Sequence, residues 1–208
     1  MSRRAARSRA AEAQRRARRR SFLAVVAVVV AVIMVAAAVF TLLVGKGGLD
    51  NEASAVKNYP YPVQMIPPDP GGRTHIPPGQ PYNYNSNPPT SGPHTSAVAT
   101  PGVYDEPVAK ETLVHNMEHS QVVVWYDCNA PQQLSADACN MLKQSLATVV
   151  ADANSRGKKV VMTPYLTMDH AVALTAWQFL DAFDQFDGPR VRTFIDSFYC
   201  HNNLEGFC

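Results

Sequence analysis

The apolar pattern changes character several times along the chain, and each change predicts a different element. Phe22 to Val44 (FLAVVAVVVAVIMVAAAVFTLLV) is a run of 23 residues without a charge. At about 1.5 Å per residue it makes a helix of roughly 35 Å, enough to cross a hydrocarbon core of roughly 30 Å. After a small, polar stretch the pattern breaks up: thirteen of the sixteen prolines fall between Pro60 and Pro107, which excludes long helices there and favours polyproline and turn conformations. Tyr59, Tyr61, Tyr82 and Tyr84, with Asn83, Asn85 and Asn87, interrupt that tract. Aromatics at such density predict an ordered arm packed on a domain rather than a free stalk.

Regular periodicity returns near Glu106. Residues 108–119 predict a short helix, and the β-branched run 121–127 (QVVVWYD) a strand. Leu134, Ala138, Met141, Leu142, Leu146, Val149 and Val150 recur at helical spacing, opened by Pro131 and stopped by Gly157. Residues 159–165 (KVVMTPY) predict a second buried strand. Ala171, Leu174, Trp177, Phe179 and Leu180 suggest a helix over 169–183, and a last helix runs over 189–198. The fold class expected is α+β or small α/β. One N-terminal transmembrane helix and a Pro-rich irregular arm precede a compact domain of two or more strands and three to four helices. The corresponding segments are a basic tail (1–21), the span (22–44), a linker (45–58), the arm (59–107) and the core (108–208).

Charge sets the expected orientation. Nine arginines, among them the flanking Arg15, Arg16, Arg18, Arg19 and Arg20, precede the span against one acid, Glu12. The positive-inside bias therefore holds the N-terminus in the cytoplasm and sends the C-terminal domain to the other side of the cell membrane. The span is too long for a cleaved signal peptide. The arginines suit anionic membrane lipid, and residues 45–208, with ten basic groups and sixteen acids, carry 10 − 16 = −6 within an overall +2. That balance argues against nucleic acid as a partner and leaves an envelope protein as the expected one. Cys128, Cys139, Cys200 and Cys208 all follow the span. The close spacing of each pair favours disulfides Cys128–Cys139 and Cys200–Cys208, and no C-x-x-C spacing suggests a cysteine metal site.

The sharpest local chemistry is His115-Asn116-Met117-Glu118-His119. Residues four apart share a helix face, so both imidazoles can reach one ion. Thr90-Ser91-Gly92-Pro93-His94 adds a third imidazole from a tight turn. His94, His115 and His119, with Glu118 completing the shell, form a candidate site for Cu or Zn. Met117, Met162 and Met168, with His170, would shift it toward Cu(I) only if they converged on it; methionine is ordinarily core filler. The same string matches H-x-x-E-H, so the alternative is a metal-dependent hydrolase with Glu118 as base. Against it, the helix is short and no glutamate follows Glu118 until Glu205. A further alternative is a structural or accessory envelope subunit without metal. His75 and His201 have no partner spacing, Trp125 and Trp177 read as core, and Asp181, Asp184 and Asp187 read as a solvated face. No G-x-S-x-G elbow, phosphate loop or dinucleotide fingerprint is present, so no catalytic residue is assigned.

Four stretches in order, NPPTSGPHT (87–95), GVYDEPV (102–108), LVHNMEHSQVVVWY (113–126) and ALTAWQF (173–179), resemble the membrane-anchored bacterial proteins of the domain of unknown function 3105 family. The resemblance covers roughly residues 58–200 and implies no established activity. The family's segment has Gly after the second His, where this chain has Ser120 at a position suited to a left-handed cap. Cysteines are not part of the family pattern, so the two bridges are a local addition.

Overall fold

A computed structural model of the chain describes residues 30–35 and 55–208. The chain divides into a unit Met1–Leu49 and a compact unit Asp50–Cys208. In the first, residues 30–35 are helical; the basic tail with Arg15, Arg16, Arg18, Arg19 and Arg20, and the remainder of 22–44, lie outside the described residues. The transmembrane helix is the first correction to the expected fold. Among the described residues no helix is long and apolar enough to cross a membrane. The longest, Ala136–Ser155, carries Asp137, Lys143 and Asp152 and buries a single face, as a helix covering a sheet does.

The fold of the second unit is α+β, built on a mixed six-stranded sheet in the order β1-β6-β5-β3-β4-β2. The strands are β1 (Gln64–Met65), β2 (Gly102–Val103), β3 (Val122–Tyr126), β4 (Val160–Pro164), β5 (Val172–Ala176) and β6 (Phe179–Phe183). The helices α1 (Lys110–Glu118), α2 (Ala136–Ser155) and α3 (Gly188–Phe198) cover it. β3 and β4 run parallel, joined by α2 as a crossover helix, which parallel neighbours require. Both faces of the centre are dry, so the strands read as continuous apolar runs. Val122, Val124, Met162 and Leu174 pack with Leu146 and Val150 of α2 and Phe194 of α3. Val123, Trp125, Val161 and Ala173 pack on the other face with Leu113, Val114 and Met117 of α1.

Two further expectations change. Residues 169–183 are not a helix but the hairpin β5–β6, turned at Trp177-Gln178 with Gln178 at φ 66°. Because both faces of these strands are buried, apolar residues stand at almost every position and a helical spacing can be picked out by coincidence. The helix expected from Pro131 begins later, at Ala136, where the Ser135 side chain accepts the Ala138 N–H and caps it better than a proline in a turn can. The last helix matches its expected bounds, capped by Asp187 and opened by Pro189.

Residues 59–107 carry little regular structure beyond the two-residue strands β1 and β2. Asp69, nearly buried, accepts hydrogen bonds from Gly71 N, Tyr82 Oη and Asn85 N, gathering three separated stretches on one carboxylate. The arm then adds β1 and β2 to the two edges of the sheet.

Candidate metal centre

Helix α1 places His115 and Glu118 one turn apart on one face, with His119 at its C-cap. The turn that presents His94 is built around Gly92, at φ 126° and with the Tyr84 ring 2.9 Å from where a Cβ would stand; only glycine meets both demands. The Gly92 carbonyl accepts a hydrogen bond from His94 Nδ1 at 2.8 Å. His75 arrives through the arm: residues 75 and 94 form an isolated parallel bridge, closed by Ile76 N to His94 O and His94 N to Thr74 O.

One ligand atom each from His75, His94, His115 and Glu118 lie within 4.8 Å of one another, and so do those of His115, His119 and Glu205. The four sequence-derived ligands therefore divide between two overlapping groups. His94, His115 and Glu118 come together with His75, which spacing did not reveal, while His119 pairs with Glu205, its Nε2 2.8 Å from Glu205 Oε2. The imidazole centroids run as a chain, His75 to His94 at 5.0 Å, His94 to His115 at 4.9 Å and His115 to His119 at 4.4 Å.

The tautomers follow from the partners. A carbonyl only accepts, so the contact from His115 Nδ1 to Ala97 O at 3.1 Å puts the proton on Nδ1 and leaves the Nε2 lone pair free. Burial lowers the His115 pKa, and the neighbouring His119 and His94 lower it further, which keeps the ring in the neutral form a metal needs. Asn116 sets this up by bonding both backbone groups of Ala99, holding the strip that carries the Ala97 carbonyl against α1. For His94 the same logic frees Nε2. That atom is fully buried, stands 2.9 Å from Glu118 Oε2, and has no hydrogen-bond partner of acceptable geometry. Glu118 is itself buried, and its other oxygen receives the Arg73 guanidinium.

Such a set suits a borderline cation. Imidazole nitrogens whose second nitrogen is tied to a backbone carbonyl are the usual arrangement around zinc and copper. Ligand atoms on a tetrahedral ion at roughly 2.0–2.1 Å lie about 3.3 Å apart, so contraction of the widest pairs by up to about 1.5 Å closes the shell. Thioether ligation has no support: Met117 and Met162 are buried on opposite faces of the sheet, and His170 pairs with Asp184 at the surface.

The cysteines stand in pairs at bonding distance, Cys128 with Cys139 and Cys200 with Cys208. Ser120 takes the left-handed conformation that a glycine would adopt freely, at φ 62°, and uses its side chain in return, donating to Asn202 O at 2.5 Å. Asp181 is not part of a solvated face. It is buried and bound by Arg190 and Tyr59.

Comparison with known proteins places the chain in one family. The model described as "Protein of unknown function (DUF3105)" matches residues 75–206, more than half of the sequence, and the chain belongs to that family. No curated protein and no solved structure matches it.

Proposed function

We propose that this DUF3105 domain binds one divalent transition ion, Zn²⁺ or Cu²⁺, through His75, His94, His115 and Glu118. The observation that carries the reading is the His94 ring: buried completely, fixed through Nδ1, and left with an unpartnered Nε2 among three other ligand atoms. A buried polar atom without a partner costs roughly 1–3 kcal/mol, and an ion at this point removes the cost. Three neutral imidazoles and one carboxylate leave a bound dication with a net +1, and the Arg73 contact fixes the carboxylate orientation. The two cysteine pairs support a compartment outside the cytosol, where such bridges persist.

A hydrolase has less support. Its base must face a metal-bound water, yet one Glu118 oxygen receives Arg73 and the other stands among the ligand atoms themselves, in a side chain 2% exposed. The deciding measurement is metal content. The full-length oxidised chain, stripped with chelator and re-equilibrated with Zn²⁺ or Cu²⁺, is expected to retain one ion through gel filtration, and His94→Gln to lose the tight site. A wild-type chain that emerges metal-free overturns the reading.

A further inference from the structure

We propose a second, outer station for the same ion, formed by His115, His119 and Glu205, with His115 passing the ion between it and the buried station. This rests on the metal reading above and adds a route to it. His94 and Glu118 are 0% and 2% exposed and the inner station meets water at His75, whereas His119 and Glu205, 16% and 31% exposed, place a carboxylate at the surface where an arriving cation is first attracted. The two groups share one residue, His115.

The shared imidazole limits the stoichiometry. His115 Nδ1 is committed to Ala97 O, which leaves Nε2 as its single donor atom, and that nitrogen has one lone pair. It can complete one shell at a time, so the stations exclude each other and the chain holds one ion in two alternative places. Arg73 works in the same direction, because its guanidinium touches Glu118 and also reaches Glu205 at 3.5 Å. A fixed cation between the carboxylates opposes filling both sides with dications.

The outer carboxylate comes from a loop held at the end of α1 by independent ties. Cys200 N donates to Ser120 O at 3.0 Å, Ser120 Oγ donates to Asn202 O, the Cys200–Cys208 bridge closes the loop, and the Phe207 ring centroid lies 4.1 Å from that of His119. Glu205 is thereby presented to His119 by the loop and not by any local helix spacing. The physical function of such a loop is to keep an exchangeable ligand beside a buried one.

The test uses the oxidised full-length chain and Zn²⁺, with metal content measured after gel filtration and exchange followed by stopped-flow capture with a chromophoric chelator. Wild type is expected to hold one ion. Glu205→Gln is expected to hold one ion as well, with loading and release slowed tenfold or more; His119→Gln serves as a second variant of the same station and should match it. His94→Gln, which keeps only the outer station, should exchange at least tenfold faster than wild type. Two ions per wild-type chain, or outer-station variants that exchange at the wild-type rate, overturn the relay while leaving the buried site in place. A wild-type chain that takes up no ion overturns both.

Discussion

Two of the buried polar clusters among the described residues each gather side chains around a buried carboxylate, and they differ in how their polar atoms are satisfied. In one, the Asp181 carboxylate receives Tyr59 Oη and two nitrogens of Arg190, and no buried polar atom is left without a partner. Burial, followed by the hydrogen bond to Asp181, raises the Tyr59 pKa and keeps its proton in place. In the other, His75, His94, His115 and Glu118 gather more ligand atoms than they have protons to share, and His94 Nε2 is left over. The closed cluster ties the start of the arm to β6 and α3 and has nothing further to bind. The open one has spare donor atoms converging on a point, which a structural network has no reason to keep. Satisfaction of buried groups, rather than their number or charge, separates a strut from a binding site.

The largest effect that can break this comparison is loss of Asp181. Asp181→Ala strands the Arg190 charge and the Tyr59 hydroxyl in a mostly dry site, and removing one partner of a buried pair costs about 3–5 kcal/mol. Urea unfolding should show that loss, with Zn²⁺ affinity of the folded fraction unchanged. An equal fall in metal affinity would mean the clusters are one unit. The open cluster should behave in the opposite sense. His94→Gln is expected to change the metal-free midpoint far less than it changes the holo protein. In wild type, free Zn²⁺ at a hundredfold excess over its dissociation constant adds about 2.7 kcal/mol, and at the same free Zn²⁺ the gain should be much smaller in the variant, which keeps only the weaker outer ligands.

The contrast also explains what was legible in advance. Strands β3 and β4 announce themselves because a run of β-branched residues has few other uses, and the caps of α3 are written at Asp187 and Pro189. The β5–β6 hairpin was hidden by its own burial, since a strand apolar on both faces loses its period of two. His94, His115, His119 and Glu118 stood out through local spacing and turn chemistry. His75 did not, because its approach depends on a parallel bridge to a residue nineteen positions on, carried by an arm with almost no regular structure. Nothing local marks Glu205, because no helix spacing carries it and a loop closed by cysteines supplies its position instead. Asp181 is illegible for the same kind of reason: its partner Tyr59 is 122 residues away, and no pattern along the chain encodes that contact.

A smaller effect sharpens the comparison through the C-terminal loop. Cys200→Ser/Cys208→Ser opens a loop of about nine residues, for which the chain-entropy model gives roughly 2–3 kcal/mol. Part of that is expected to be recovered through the Ser120 contacts, which hold the loop without the bridge. The urea midpoint measures the stability loss, and chelator capture measures the outer ligand. The double variant should exchange Zn²⁺ with slowed kinetics, while the Tyr59–Asp181–Arg190 cluster, which lies on elements the bridge does not join, keeps its contribution. A variant with lowered stability and wild-type exchange would show that the loop orders Glu205 without the covalent tie.

The smallest effect concerns a second orphaned atom, and it asks whether an unpartnered nitrogen alone makes a site. His201 Nε2 is buried without a hydrogen-bond partner, but its ring sits against Phe179 and Phe198 and belongs to neither ligand group. Burial lowers its pKa. Above the ordinary histidine value of about 6.5 both folded and unfolded chains carry the neutral ring and the residue has no influence on pH dependence. As pH falls below that value the unfolded chain takes up the proton first, so the stability associated with the neutral ring is present above about pH 6.5 and declines toward the lowered folded value. The slope from one such group cannot exceed about 1.4 kcal/mol per pH unit. His201→Leu should therefore flatten the fall in urea midpoint between pH 6.5 and 5 relative to wild type, and leave the ion content at pH 7.5 unchanged. Loss of the ion in that variant would mean that a lone orphan is enough, and that the convergence of ligand atoms around His94 is not what distinguishes the open cluster.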